Sequence, residues 1–209
     1  MKEILCFGDS NTYGLVPATC NRYPFNVRWT GLLSNKLGSE YNVVEEGLCG
    51  RTTMFDDKDR PYRNGSELLP VLLESHMPLD LVIIMLGTND CKSEYNTTPE
   101  KIAEGVIKLI KQVRHFDDET KILLISPIHL GENVWKSGFD PEFSKNSVNI
   151  SKHLKEVYKD ISLKYNTEFC IVKEYIYIFE DDKVYSCGSI LSDLYIDDLH
   201  TYLSQISPT

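Results

Sequence analysis

The stretch Ile4-Leu5-Cys6-Phe7-Gly8-Asp9-Ser10-Asn11-Thr12 decides how the rest of the chain is read. An apolar run ends in a glycine, an acid and a serine. The run predicts a short buried strand that starts almost at the N-terminus. Gly8, which lacks a Cβ, lets the backbone turn sharply after it. Ser10 then falls at the mouth of the sheet, where open α/β sheets place their chemistry. Alone, Gly-Asp-Ser is also an ordinary turn sequence, because all three residues are good turn formers.

Outward from this strand, helical and strand-like patterns alternate. Trp29, Leu32, Leu33 and Leu37 have helical spacing and predict a helix over 28–37, stopped by Gly38. Residues 41–46 read as the second strand. Leu68, Leu69, Leu72 and Leu73 share one face of a helix over 66–77. Residues 80–86 form the third strand, apolar without alternation, as in a strand covered on both faces. Thr98 caps the next helix, Pro99 takes its first position and Glu100 favours the positive end of its dipole. Ile102, Val106, Leu109, Ile110 and Val113 make its buried stripe. Residues 121–126 are the fourth strand. Ile150, Leu154, Val157, Tyr158 and Ile161 mark a further helix, and 169–172 a fifth strand.

This order predicts one α/β domain over 1–209. It has three layers, α/β/α, around a mostly parallel central sheet of about five strands. The loops 8–27 and 47–63 are expected to lack regular structure. Asp56, Asp57 and Asp59 in the latter lack a calcium-loop pattern and read as a solvated acidic loop, not a metal site. Residues 127–143 look like an inserted loop, with Trp135 and Phe139 as a candidate wall of a substrate pocket. Residues 173–196 mix apolar pieces with turns and resist assignment. Residues 201–209 are short and poor in helical pattern.

The 209 residues are 42% hydrophobic and 25% charged, the balance of a soluble globular protein with a substantial core. A formal net charge of −9 argues against a nucleic-acid or anionic-membrane partner. No apolar run reaches the length of a membrane span, and Met1-Lys2-Glu3 leads straight into the first strand, so a cytoplasmic location is expected. The six cysteines show neither C-x-x-C nor zinc spacing, and reduced thiols are expected.

Two later stretches give the opening serine its meaning. Leu81-Val82-Ile83-Ile84-Met85-Leu86 ends in Gly87-Thr88-Asn89-Asp90, and Asp197-Asp198-Leu199-His200 sits near the C-terminus. Together with Gly8-Asp9-Ser10-Asn11 and Gly47-Leu48-Cys49-Gly50-Arg51-Thr52-Thr53, these resemble the blocks of the SGNH hydrolases, or GDSL esterases and lipases. Asn11 stands where that family usually has leucine. The wording of 4–14, Arg28-Trp29-Thr30-Gly31, Glu45-Glu46-Gly47-Leu48 and 81–90 is closest to the arylesterase-like branch. The resemblance runs over residues 2 to 127 and returns at 197–200. It implies a flavodoxin-like sheet and self-association into homo-oligomers.

The chemistry follows from the residue types. A serine hydroxyl needs an adjacent base, and the base an orienting acid. Ser10, His200 and Asp197 fill those roles by resemblance, with Asp9, Asp193 and Asp198 as other candidates for the acid. No G-x-S-x-G elbow supports an α/β-hydrolase. The resemblance also implies three oxyanion donors: the Ser10 N–H, the Gly50 N–H and the Asn89 side-chain amide. Each residue alone has a plainer reading, as a turn, a loop or a surface position. His76, His115 and His153 read as structural or solvated, and His129, after Pro127, as a group beside a pocket wall. Arg28 and Trp29 read as packing residues, and Cys49 as a small filler.

Three functions compete. The first is a serine esterase acting on small acyl esters, acetyl or short-chain, without metal or cofactor; transfer of the acyl group to another acceptor uses the same machinery. The second is a carbohydrate- or lipid-binding member of the fold with weak or no turnover. The third is a nucleotide-binding domain using 8–12 as a phosphate loop, which lacks both a G-x-G-x-x-G and a Walker pattern.

Overall fold

The structure is a computed structural model that describes residues 1–16, 19–136 and 140–171, and the backbone of 179–180 and 183–184. Five strands form one sheet: β1 (Lys2–Gly8), β2 (Tyr41–Gly47), β3 (Leu81–Met85), β4 (Lys121–Ser126) and β5 (Glu168–Ile171). Their order is β2-β1-β3-β4-β5 and every neighbouring pair is parallel. This is the doubly wound flavodoxin-like order. The chain runs from β1 outward to β2, then crosses back to β3 on the other side of β1, which opens a crevice at the carboxyl ends of β1 and β3. Two short strands, β6 (Phe179–Glu180) and β7 (Lys183–Val184), pair antiparallel apart from that sheet.

The connecting helices are α1 (Ser10–Tyr13), α2 (Trp29–Leu37), α3 (Gly65–His76), α4 (Pro99–Phe116) and α5 (Lys145–Tyr165). Of these, α1 falls in 8–27, which the sequence predicts to be irregular. Four residues are too few for periodicity to register, and the signal lies in the cap instead. Asp9 accepts a hydrogen bond from the Asn11 N–H at 2.9 Å, and Gly14 ends the turn in the left-handed region. The Thr98 hydroxyl accepts from the Lys101 N–H and starts α4. Ser144 and Ser147 cap α5 reciprocally.

The alternation of β1, β3 and β4 divides the core into two clusters. Leu5, Phe7, Val82, Ile84, Ile122 and Leu124 face α3, α4 and α5. Ile4, Cys6, Leu81, Ile83, Leu123 and Ile125 face the other way, against Trp29 and Leu33 of α2. Trp29 is thus a packing residue, as the sequence suggested, and Arg28 is buried beside it. Among the described cysteines, Cys6, Cys20, Cys49 and Cys91 are free thiols. Among the described residues no helix is long and apolar enough to cross a membrane.

Candidate active site

Ser10, Gly50 and Asn89 come from three successive strand–helix connections and meet at one edge of the sheet. Ser10 opens α1, one residue after Asp9 and two after the end of β1. Gly50 follows β2, and Asn89 opens a single 3-10 turn after β3. Since β2, β1 and β3 are consecutive neighbours in the sheet, all three residues sit at its carboxyl edge. Ser10 and Asn89 flank the crevice where the strand order reverses.

Specific contacts knit the three connections together. The Leu48 N–H donates to the Gly8 carbonyl at 3.1 Å, extending the β1–β2 ladder past its last pair. Arg51 donates from Nη1 to the Gly8 carbonyl at 2.9 Å and to the Glu46 carbonyl, while its guanidinium lies over the Phe7 ring at 4.2 Å. Burial holds the Arg51 pKa down, at about 10, so the group stays charged at neutral pH. Asn89 is buried and donates from Nδ2 to the Arg51 carbonyl at 3.0 Å. This fixes the amide plane and leaves the second N–H of Nδ2 on the side away from that carbonyl.

Two glycines are required by this packing. A Cβ on Gly47 would collide with the backbone of Thr12 and Tyr13, so the tight seat of α1 on β2 needs a bare Cα there. Gly50 has φ +85°, in the left-handed region that favours glycine, and turns the chain so that the Arg51 N–H reaches back to the Leu48 carbonyl at 3.0 Å.

The acids around the site are buried. Asp9 is fully buried, and desolvation lifts its carboxyl to about 6, against the pull of the Asn11 N–H and the Arg51 charge. Burial likewise lifts Asp90 to about 7, although the Thr53 N–H and hydroxyl both donate to it. Sequence reasoning gave Asp90, Thr53 and Arg51 no role. Their signal was the run Arg51-Thr52-Thr53 beside the glycine, which carries donors where an apolar loop would carry none.

The acidic loop is corrected by the structure. Asp57 is not solvated. It is buried, and accepts from the Asp59 N–H at 3.0 Å, the Arg60 N–H at 2.9 Å and the Arg60 Nε at 3.1 Å. Asp56 accepts from the Asn64 amide at 3.1 Å. These carboxylates build a turn, and no cluster of metal-ligating side chains occurs among the described residues. His76 bonds Glu46 at 3.0 Å and His153 bonds the Asn149 carbonyl. A cavity of about 390 Å³ is lined by Pro127, Ile128 and His129 with Ser151, Lys152 and Lys155 of α5. Its lining includes none of Ser10, Gly50 or Asn89. Phe139, Asp193, Asp197, Asp198 and His200 lie outside the described residues.

Known proteins share this fold. The sequence profile of the GDSL-like Lipase/Acylhydrolase family matches residues 6–201. The chain belongs to that family and is a carboxylic ester hydrolase. Est24, a carbohydrate acetylesterase from Sinorhizobium meliloti, is 33% identical, with 99% of this chain and 100% of that chain covered and a TM-score of 0.83. The native aryl esterase of M. smegmatis is 35% identical, with 98% and 97% covered and a TM-score of 0.79. A structure titled TesA, 19% identical over 98% of this chain at a TM-score of 0.62, shares the fold. No curated protein is similar enough to this sequence to count as a match.

Proposed function

We propose that this chain is a serine esterase that cleaves small acyl esters, acetyl or short-chain, through an acyl-enzyme. The observation that supports the reading is that Ser10, Gly50 and Asn89 each follow the carboxyl end of one of three adjacent strands. Likeness to a carbohydrate acetylesterase and an aryl esterase over nearly the whole chain supports the same class of substrate.

In this mechanism the Ser10 hydroxyl attacks the ester carbonyl while His200 takes its proton. Asp197 orients the imidazole and stabilises its charged form. The tetrahedral oxyanion receives hydrogen bonds from the Ser10 N–H, the Gly50 N–H and the Asn89 amide, each contributing about 3 kcal/mol to the barrier reduction. Collapse expels the alcohol, which leaves with the proton from His200. Water, activated by the same imidazole, then releases the acid and frees Ser10. The helical turn at Ser10 suits this role, because its N–H is among those a helix start leaves without an internal acceptor.

Hydrolysis of 4-nitrophenyl acetate is the direct test. Ser10→Ala is expected to lower kcat by about 10⁴-fold or more. Asn89→Ala is expected to lower it about 10²- to 10³-fold. A fluorophosphonate should label Ser10 alone, as mapped by mass spectrometry. An adduct on another residue, or full turnover by Ser10→Ala, removes Ser10 from the role of nucleophile.

A further inference from the structure

The side chain of Arg60 lies against Gly50. A Cβ built on Gly50 would lie 2.6 Å from Nη2, 2.8 Å from Cζ and 2.9 Å from Nη1 of Arg60. The guanidinium therefore occupies the space that a side chain at position 50 would fill. Its placement is fixed from behind. Asp57, buried to 3% side-chain exposure, accepts from the Arg60 N–H and from Nε at 3.1 Å. Lys92, equally buried, stands 3.9 Å from the same Asp57 carboxylate and 2.9 Å from Glu142, which ties the turn to the chain beyond β3. No partner for Nη1 or Nη2 of Arg60 occurs among the described residues, and 38% of the side chain is exposed.

This geometry leaves one edge of the guanidinium free. With Nε committed to Asp57, the pair Nη1 and Nη2 points away from it, and that edge binds a planar carboxylate through two parallel N–H···O bonds. Arg63 adds a second positive charge close by, donating from Nε to the Cys49 carbonyl at 3.0 Å. A hydroxyl-rich ligand would use acceptors as well as donors, whereas this edge offers donors only. Asp57 offsets the Arg60 charge, so attraction of an anion here rests on the donor edge of Arg60 together with the nearby Arg63.

We infer that Arg60 forms a specificity subsite for a carboxylate carried by the ester substrate, adjacent to the carbonyl that reacts. The inference rests on the reading of the Gly50 N–H as an oxyanion donor, since that places the reacting carbonyl beside Arg60. The carboxylate is borne either by the acyl group or by the leaving alcohol.

The test measures kcat/KM for matched charged and neutral esters on the full-length wild type, Arg60→Gln and Arg60→Lys. For the acyl side the pair is 4-nitrophenyl hemisuccinate and 4-nitrophenyl butyrate. For the alcohol side it is 3-acetoxybenzoate and its methyl ester. In one pair, the charged-over-neutral ratio is expected to fall about tenfold in Arg60→Gln, carried by KM, and to recover in part in Arg60→Lys. The pair that responds identifies the side. Unchanged ratios in both pairs overturn the inference. Titration of wild type and Arg60→Gln with succinate is a second arm, independent of turnover. If no ester is cleaved, the catalytic reading fails. Weaker succinate binding by the variant then still upholds the subsite, and equal or absent binding by both proteins rejects it.

Discussion

The two faces of the central sheet are held in different ways. One face meets three helices, α3, α4 and α5, through an almost wholly apolar contact with Leu69, Leu73, Val106, Leu109, Ile110, Leu154 and Tyr158 at its centre. The other meets α2 through Trp29 and Leu33, and next to them stands a charged group. Glu45 of β2 accepts from Thr30 and pairs with Arg28 at 3.1 Å and Arg22 at 3.3 Å. Arg22 also donates from Nε to the Tyr13 carbonyl and lies over the Tyr13 ring at 4.5 Å. The apolar face gains its cohesion from area removed from water. The other face uses ion pairs to tie Arg22 and Arg28, and through Arg22 the end of α1, to the edge strand. The lesson is that the serine turn is anchored by electrostatics on one side and by packing on the other.

The largest expected difference comes from neighbouring residues of β3. Ile84→Ala on the three-helix face is expected to cost about 4 kcal/mol, because the surrounding helices restrict collapse into the cavity. Ile83→Ala on the opposite face is expected to cost about 2 kcal/mol. Urea unfolding of both variants checks the ranking, and equal losses would mean that the faces are equally well packed. Glu45→Gln comes next. It leaves the buried Arg28 without its counter-charge and is expected to cost about 2 kcal/mol, with thermal unfolding as the measurement. A loss below 0.5 kcal/mol or so would place the pair with ordinary surface ion pairs.

Two buried acids, Asp9 and Asp90, respond to pH in a defined direction. Asp90 titrates at about 7 and Asp9 at about 6 in the folded chain, both raised by burial. The folded state therefore retains protons that the unfolded chain has already released. The stability these groups supply is full below the ordinary carboxylate pKa and is lost as pH rises through 6 and 7. The thermal midpoint is expected to fall by about 3 °C between pH ~5.5 and ~8, and Asp90→Asn to flatten that slope. A slope of opposite sign in the wild type would remove buried acids as its source. The smallest expected effect is at a helix start. Thr98→Ala removes the cap of α4 and is expected to cost about 1 kcal/mol by the same unfolding measurement.

Most of the fold was legible because its signals are local. The apolar runs of β1, β3 and β4 and the stripe of α4 reappear with boundaries moved by a residue or so. The meeting of Ser10, Gly50 and Asn89 at one edge was legible only through the motif wording, since no local pattern states which strands become neighbours. What escaped was cooperative. Asp57 reads as a solvated acid until Arg60 and Lys92 are brought to it, and Arg51 reads as a surface cation until two strand ends present their carbonyls. Such pairings depend on loop geometry, which composition and periodicity do not encode.

Arg51 has a consequence for how this architecture can change. By gripping the last carbonyl of β1 and the next-to-last of β2, it acts as a rivet immediately upstream of residues 52–64. A slip of one residue between those strands would turn every side chain of β2 over, and the rivet resists that slip at its own end. The positions before it therefore stay in register when exposed residues of the segment beyond, such as Tyr62, are exchanged.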